Sequence, residues 1–236
     1  MKILVACEES QAVTKELRQL GHEAYSCDII DQSGGHPEWH IMQDVLLILN
    51  GNCTFRTMDG FENTIQGKWD MIIAFPPCTH LAVSGSRFFA AKREDGRQRE
   101  GIEFFCEILE ADCEWVSVEN PVNIIGGDYI KRWFPDVAEK HNLPKKPSQY
   151  VHPWMFGHPE SKKTCFWLKG LPLLKPTDVL QLPGSGHWNN QTKDKQNKLI
   201  VDGKWLAFND PRTAKERSKT YPGIAKAMAE QWAGKA

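Results

Sequence analysis

The chain has 236 residues, 41% of them hydrophobic and 25% charged, which suits one α/β domain of ordinary size with a small appended lobe. Its 29 Lys and Arg against 30 Asp and Glu leave a net charge of −1, so total charge gives no argument for a nucleic-acid partner. The 7 cysteines include no C-x-x-C pair, and no apolar run approaches the ~20 residues of a bilayer crossing. A zinc cage, a disulfide framework and a membrane span are therefore not expected, and a reducing cytosol is. The N-terminal apolar stretch is too short for a secretory signal.

In chain order, Ile3–Ala6 is predicted as a buried strand. Ser10 is placed to cap a helix running to Leu20, with Gly21 at its C-terminal end. His22–Cys27 reads as a second strand ending at Asp28. A loop with Gly34, Gly35 and Pro37 leads to a short segment ending at Asp44, and Val45–Leu49 reads as helical. Trp69–Phe75 is the clearest strand, stopped by Pro76-Pro77. Ile102, Phe105, Cys106 and Leu109 carry helical spacing over Gly101–Ala111. Trp115–Val118 is another strand, stopped at Glu119-Asn120-Pro121, and Thr164–Leu168 one more. Pro222–Trp232 closes the chain as an amphipathic helix.

Repeated β-loop-α units predict a mainly parallel sheet with helices on both faces. Such sheets bind ligands at the carboxyl ends of their strands. The residues just past the predicted strands are Cys7-Glu8-Glu9, Asp28, Asp44, Cys78 and Glu119. Three regions are expected: residues 1–170 as a catalytic and cofactor-binding domain, 171–219 as a small irregular lobe, and 220–236 as a helix returning to the first. The lobe holds nine Lys and Arg against five acids, so it is +4 and the remainder −5. Trp188 and Trp205 lie inside it, where aromatics beside lysines stack on bases.

Cys78 stands in a turn that two prolines stiffen and strip of backbone donors, a preset position for a thiol. Parallel strand order brings Glu119 beside it, so a nucleophile and a proton donor meet at one sheet edge. After Cys78, Arg87, Lys92, Arg93, Arg97 and Arg99 oppose Glu94, Asp95 and Glu100. That loop reads either as a solvated surface or as a phosphate clamp. The eight His show no H-E-x-x-H spacing, and no metal is expected.

These motifs resemble, in order and across nearly the whole chain, those of the DNA cytosine-5 methyltransferases. Pro77-Cys78 followed by Ser84-Gly85 is similar to that family's nucleophile loop, and Glu119-Asn120-Pro121 to its Glu-Asn-Val/Pro element. Asp28 and Asp44 fall where the family places acidic residues on the ribose and adenine of S-adenosylmethionine. The resemblance implies a Rossmann-like methyltransferase sheet with Cys78 and Glu119 as catalytic residues. Ala6, Cys7, Glu8, Asp28, Ile29, Asp44, Val45, Pro76, Lys219 and Thr220 would bind the donor. Ser84, Arg87, Lys92, Arg93, Arg97, Lys162, Trp188 and Lys193 would meet double-stranded DNA containing cytosine. The implied setting is the cytoplasm of a bacterial or phage-infected cell.

The chain departs from the family in three places. Ala6-Cys7-Glu8-Glu9-Ser10 replaces the glycine-rich first motif. Phe156-Gly157-His158-Pro159-Glu160-Ser161-Lys162-Lys163-Thr164 resembles the motif Gly-x-Pro-Gln-x-Arg-x-Arg, with Glu160, Lys162 and Thr164 in place of the Gln and both Arg; Lys162, Lys163 or a loop arginine is left to brace the base carbonyl. Ser218-Lys219-Thr220-Tyr221-Pro222 resembles the last motif, Gly-Asn-Ser-x-Pro, with Lys219 at the Asn position beside the donor. A lysine pointed inward repels a sulfonium but pairs with a carboxylate on the transferred group, which is the difference between S-adenosylmethionine and carboxy-S-adenosylmethionine. Two readings thus stand level, methylation and carboxymethylation giving 5-carboxymethylcytosine. A catalytically silent nucleic-acid or nucleotide-binding module and an RNA cytosine-5 methyltransferase are the alternatives.

Overall fold

In strand β1 (Lys2–Ala6), Ile3 and Val5 enter one apolar layer while Leu4 and Ala6 enter the other. A strand buried on both faces needs a continuous apolar run rather than alternation. The same division recurs in β6 (Met71–Ala74), where Met71 and Ile73 join Ile3 and Val5. The chain is described here from a computed structural model that covers residues 1–181, 199–201, 204–206 and 218–236.

Between those strands lie β2 (Glu23–Asp28), β3 (His40–Met42), and a separate antiparallel hairpin of β4 (Cys53–Arg56) and β5 (Glu62–Ile65). After them come β7 (Trp115–Pro121), β8 (Gln149–Val151) and β9 (Thr164–Lys169). The main sheet has seven strands in the order β3-β2-β1-β6-β7-β9-β8. The first five are parallel, with Ile3 opposite Ala24 and Met71; β9 runs antiparallel to both β7 and β8. This is the α/β Rossmann-like sheet expected.

Helix α1 (Ala12–Gln19) covers one face with Val13 and Leu17. It is joined there by α6 (Pro222–Met228) and the π-helical turn Ala229–Ala233 that continues it, through Ile224, Met228 and Trp232. The other face takes Ile102, Phe105 and Ile108 of α3 (Arg97–Leu109). The short helices α2 (Phe89–Glu94), α4 (Gly127–Trp133) and α5 (Pro135–Lys140) add Phe89, Ile130 and Val137 to that layer. Trp69, Trp167 and Trp232 are core residues, and Trp115 is half-buried.

Three local expectations change. Glu119 lies inside β7 rather than past its end, because antiparallel pairing with β9 (Glu119 opposite Phe166) carries the strand on to Pro121. The first helix begins at Ala12 after a left-handed Gln11 (φ 55°), and Ser10 is not its cap. Val45–Leu47 is a single 3-10 turn capped by Asp44, whose carboxylate accepts the Leu46 N–H at 3.0 Å. Of the lobe expected over residues 171–219, Leu174 is buried in the α1–α6 layer and its carbonyl accepts from Gln149 Nε2 at 2.7 Å. Strands β10 (Leu199–Val201) and β11 (Lys204–Leu206) pair antiparallel. Trp188 and Lys193, expected to touch DNA, lie outside the described residues, as does the side chain of Trp205.

Candidate active site

Parallel pairing of β6 with β7, with Ala74 opposite Val118, brings the Pro-Pro turn alongside Glu119 and Asn120. Asn120 is buried, donates from Nδ2 to the Pro76 carbonyl at 2.8 Å, and accepts from Asn123 Nδ2 at 3.0 Å. The turn closes with Leu81 N–H and Ala82 N–H donating to the Cys78 carbonyl at 3.0 and 2.9 Å. Two further bonds sew it to the segment after β7: Val83 N–H to Val122 O at 3.0 Å, and Ile124 N–H to Leu81 O at 3.1 Å. The half-buried thiol is therefore fixed against β7 by paired backbone and one buried amide.

Electrostatics couple the two candidate catalytic groups. Burial, and then the negative charge of Glu119, push the Cys78 thiol above its ordinary value, opposed by Lys162 and Lys92. Burial likewise raises the Glu119 carboxyl, opposed by Lys162. Lys162 thus acts on both groups from within the site, rather than standing on the outer surface. Its ammonium also lies 5.7 Å over the Tyr221 ring. Glu119, Lys162, Thr164, Ser218, Thr220 and Tyr221 line one small cavity here. Lys219 is half-buried between Ser218 and Thr220.

The cavity's far wall depends on how α6 docks. His158 Nε2 accepts the Gly223 N–H at 2.9 Å, satisfying a free donor of the first helical turn. Any Cβ at Gly223 would stand 2.0 Å from the Phe156 carbonyl oxygen, a backbone atom that cannot step aside. Gly223→Ala is expected to lower stability by about 1–3 kcal/mol, the usual cost of overpacking, as a reduced urea midpoint.

At the carboxyl ends of β1, β2 and β3, the absent glycine-rich loop is replaced by a turn with two non-glycine residues in left-handed conformation, Cys7 (φ 58°) and Gln11 (φ 55°). Such residues hold that backbone only where surrounding contacts over-determine it. Gln11 supplies them: Nε2 donates to the His36 carbonyl at 2.8 Å and to Ser26 Oγ at 3.2 Å, while Oε1 accepts the His36 N–H at 3.1 Å. Gly34 packs so closely on Gln11 that a Cβ would lie 2.5 Å from it.

Ala6, Cys7, Asp28 and Asp44 lie near one another at these strand ends. The Cys7 thiol is raised by burial and then by the charges of Asp28, Cys27 and Asp44, which places both aspartates within electrostatic reach of it. Asp28 is itself raised by burial while accepting the Ile30 N–H at 3.3 Å. Beside these carboxylates Ile29 and Leu47 are each 74% exposed, and Val45 is buried. Acidic strand ends next to uncovered apolar side chains fit a donor with an aromatic base, a ribose and a positive charge. Sequence reasoning did not single out Leu47, whose side chain is exposed between the buried Val45 and Ile48.

Glu8 is a correction. Its carboxylate is buried and turned onto α1, accepting the Val13 N–H at 2.6 Å, the Thr14 N–H at 3.3 Å and the Thr14 hydroxyl at 2.7 Å. It serves the helix terminus, not a ligand. Burial lifts its pKa from 4.5 to about 7 against those bonds. The native state then holds this proton more tightly than the unfolded chain, so its contribution is complete below pH 4.5 and lost as pH rises through about 7. Glu8→Gln is expected to flatten the fall in stability between those limits, read from urea midpoints at successive pH values.

The basic loop is mostly committed to the protein itself. Lys92 is buried and donates to the Thr79 carbonyl at 2.5 Å. Arg93 donates to Tyr129 Oη at 2.8 Å and stacks 3.9 Å from the Trp133 ring. Arg97 pairs with Asp95, and Arg99 bridges to Asp136 through two nitrogens at 2.6 and 3.0 Å. Lys92 and Arg93 therefore brace the loop, and Arg97 is held in an exposed ion pair. Ser84 and Arg87 remain exposed on the 3-10 segment Val83–Phe88. Among the described residues no group of His, Cys, Asp and Glu is arranged for a metal, and no helix is long and apolar enough to cross a membrane.

Neither a protein-family model nor a curated protein matches the chain. Among solved structures it is similar to a protein described as a DNA modification methyltransferase encoded within an E. coli prophage, with a TM-score of 0.44 and 14% identity over 85% of this chain and 56% of that one. It is also similar to a triple mutant of Spodoptera frugiperda DNMT2, with a TM-score of 0.34 and 13% identity over 85% of this chain and 60% of that one. The chain spans less than two thirds of the length of either. The architecture itself rests on the five parallel strands followed by the antiparallel β9. The fold is α/β, with a Rossmann-like, mainly parallel sheet.

Proposed function

We propose that the protein alkylates C5 of cytosine in double-stranded DNA. The observation that carries this reading is the joint of β6 and β7, where Asn120 locks the turn bearing Cys78 to the strand bearing Glu119 and the Glu119 charge acts on the Cys78 thiol. Cytosine C5 is too weak a nucleophile to take an alkyl group unaided. The Cys78 thiolate adds to C6, the ring electrons move to N3, and N3 is protonated with support from Glu119. C5 is then enamine-like. After C5 gains its substituent, loss of the C5 proton expels the thiolate and restores the ring. S-adenosylmethionine, when bound, supplies an alkyl group made electrophilic by its sulfonium.

Burial suits Glu119 to this part, because raising a carboxyl above its ordinary range favours the form that carries a proton to share. Thr164 stands where the resembled motif has its second arginine, and Lys162, which acts on both Cys78 and Glu119, supplies the cation. Asp28 and Asp44 would hold the donor's ribose and base, with Ile29 and Leu47 against its aromatic ring.

Methyl transfer from S-adenosylmethionine is the principal reading. Carboxymethyl transfer from carboxy-S-adenosylmethionine is the second, favoured by the half-buried Lys219 between two residues that line the cavity beside Glu119. Duplex DNA incubated with each donor and digested to nucleosides separates the two by product mass. Methyl-only product that Lys219→Asn leaves unchanged eliminates the second reading. No modified base from either donor, with DNA still bound, indicates a silent binding module; modification of RNA alone redirects the substrate.

A further inference from the structure

We propose that His40 is the positioning residue of the donor site: through Ile30 it fixes the turn that aims Asp28 at the donor's ribose. The proposal rests on the donor-binding part of the reading above and adds what holds that site in shape.

Gln11, Ser26 and His40 are fully buried, although all three are polar and β3, which carries His40, is the edge strand of the sheet. Apolar side chains are the ordinary occupants of such positions, and buried polar groups persist where their hydrogen bonds are met. Here the bonds run in one direction. Gln11 Nε2 donates to Ser26 Oγ at 3.2 Å, the Ser26 hydroxyl to His40 Nδ1 at 2.9 Å, and His40 Nε2 to the Ile30 carbonyl at 2.9 Å. The last contact sets the order: a carbonyl only accepts, so Nε2 carries the ring hydrogen and Nδ1 of the neutral ring accepts.

This relay ends in the donor site. Ile30 donates its N–H to the Asp28 carboxylate at 3.3 Å while its carbonyl receives His40, so one residue ties the carboxylate to the imidazole. Ile29, whose exposed side chain faces no core, lies between them. Residues 29–36 are irregular and take their shape from such pins. His40 pins them at Ile30, and Gln11 pins them at His36 through the N–H and carbonyl contacts given above. A fully satisfied buried network stiffens its surroundings and selects one arrangement, which is what a binding site requires of the groups behind it. A glycine-rich turn shapes such a pocket by backbone freedom; this chain does so with three buried side chains.

The test measures the affinity for S-adenosylmethionine by calorimetry, beside a step that needs no donor: tritium release from C5 of the target cytosine in DNA. Addition of the Cys78 thiolate to C6 lets C5 take a proton from water, and loss of the tritium as the thiolate departs restores the ring. His40→Gln keeps an amide N–H at the reach of Nε2 towards Ile30, whereas the amide of His40→Asn extends only as far as Nδ1 and serves Ser26 alone. Asn is expected to weaken donor binding about tenfold and Gln less than about twofold, the scale of one buried hydrogen bond kept or lost. Tritium release should stay near wild type in both. Ser26→Ala, the milder variant, keeps the imidazole but removes the hydroxyl that fixes its ring, and should weaken donor binding about three- to fivefold. Unaltered donor affinity in His40→Asn or in Ser26→Ala, equal losses for Asn and Gln, or tritium release that falls in step with affinity overturns the proposal. Wild type that does not bind the donor sinks the donor-binding reading and this proposal together; wild type that binds it, matched by every variant, sinks this proposal alone.

Discussion

Replacing Cys78 with serine is expected to cut base modification by about 10³-fold or more, the scale seen when a covalent nucleophile is removed, without loss of folding. The side chain is half-buried and only exchanges sulfur for the smaller oxygen, and the bonds that shape its turn are accepted by its carbonyl, not its sulfur. Duplex DNA with 5-fluorocytosine at the target separates loss of chemistry from loss of binding. Fluorine at C5 cannot depart as a proton, so the thiolate has no route off C6 once alkylation is complete. Wild type should form a denaturant-stable adduct and Cys78→Ser none, with DNA affinity unchanged. A serine variant that still modifies DNA ends the covalent mechanism.

The same thiol reports its surroundings before any substrate is present. Burial and the Glu119 charge raise it, so alkylation by iodoacetamide should titrate above the range of an ordinary exposed thiol. Glu119→Gln removes a like charge and moves that midpoint down; Lys162→Met removes a stabilising cation and moves it up. The result depends only on the placement of three side chains. It therefore checks the site independently of the reaction assigned to it.

The strands that build this joint were legible because burial on both faces leaves a continuous apolar signature, as in Met71–Ala74 and in Val116 and Val118. The hairpin of β4 and β5 was not, since it lies apart from the main sheet and leaves Arg56 and Glu62 in an exposed ion pair. Glu8 was misread for a different reason. Its turn onto α1 requires Cys7 and Gln11 in a conformation that sequence patterns assign to glycine. Arg93 and Arg99 look like DNA contacts in the sequence because Tyr129, Trp133 and Asp136, which hold them, lie 36 or more residues away. Long-range partners of charged side chains carry no local pattern. Cys78 with Glu119 was readable because each abuts a proline-marked stop and parallel order makes such stops neighbours.

Asn120 shows how far the site relies on that junction. The amide is buried, and its only donor group reaches the Pro76 carbonyl while its oxygen accepts from Asn123. Asn120→Ala leaves that carbonyl buried without this partner, at about 1–3 kcal/mol, and frees the Cys78 turn to drift from β7. A displacement near 1 Å costs an oriented reaction about 10²-fold, so the rate of adduct formation with 5-fluorocytosine DNA should fall by that order. Asn120→Asp should be no better, because a carboxylate cannot donate to Pro76 and repels its oxygen. Measured well below each variant's melting temperature, DNA affinity should stay near wild type while adduct formation slows. The Cys78 titration should also drift back towards an ordinary thiol as water enters the opened turn. A stability loss with wild-type adduct rate and an unmoved thiol would falsify the positioning role and leave Asn120 as a core amide alone.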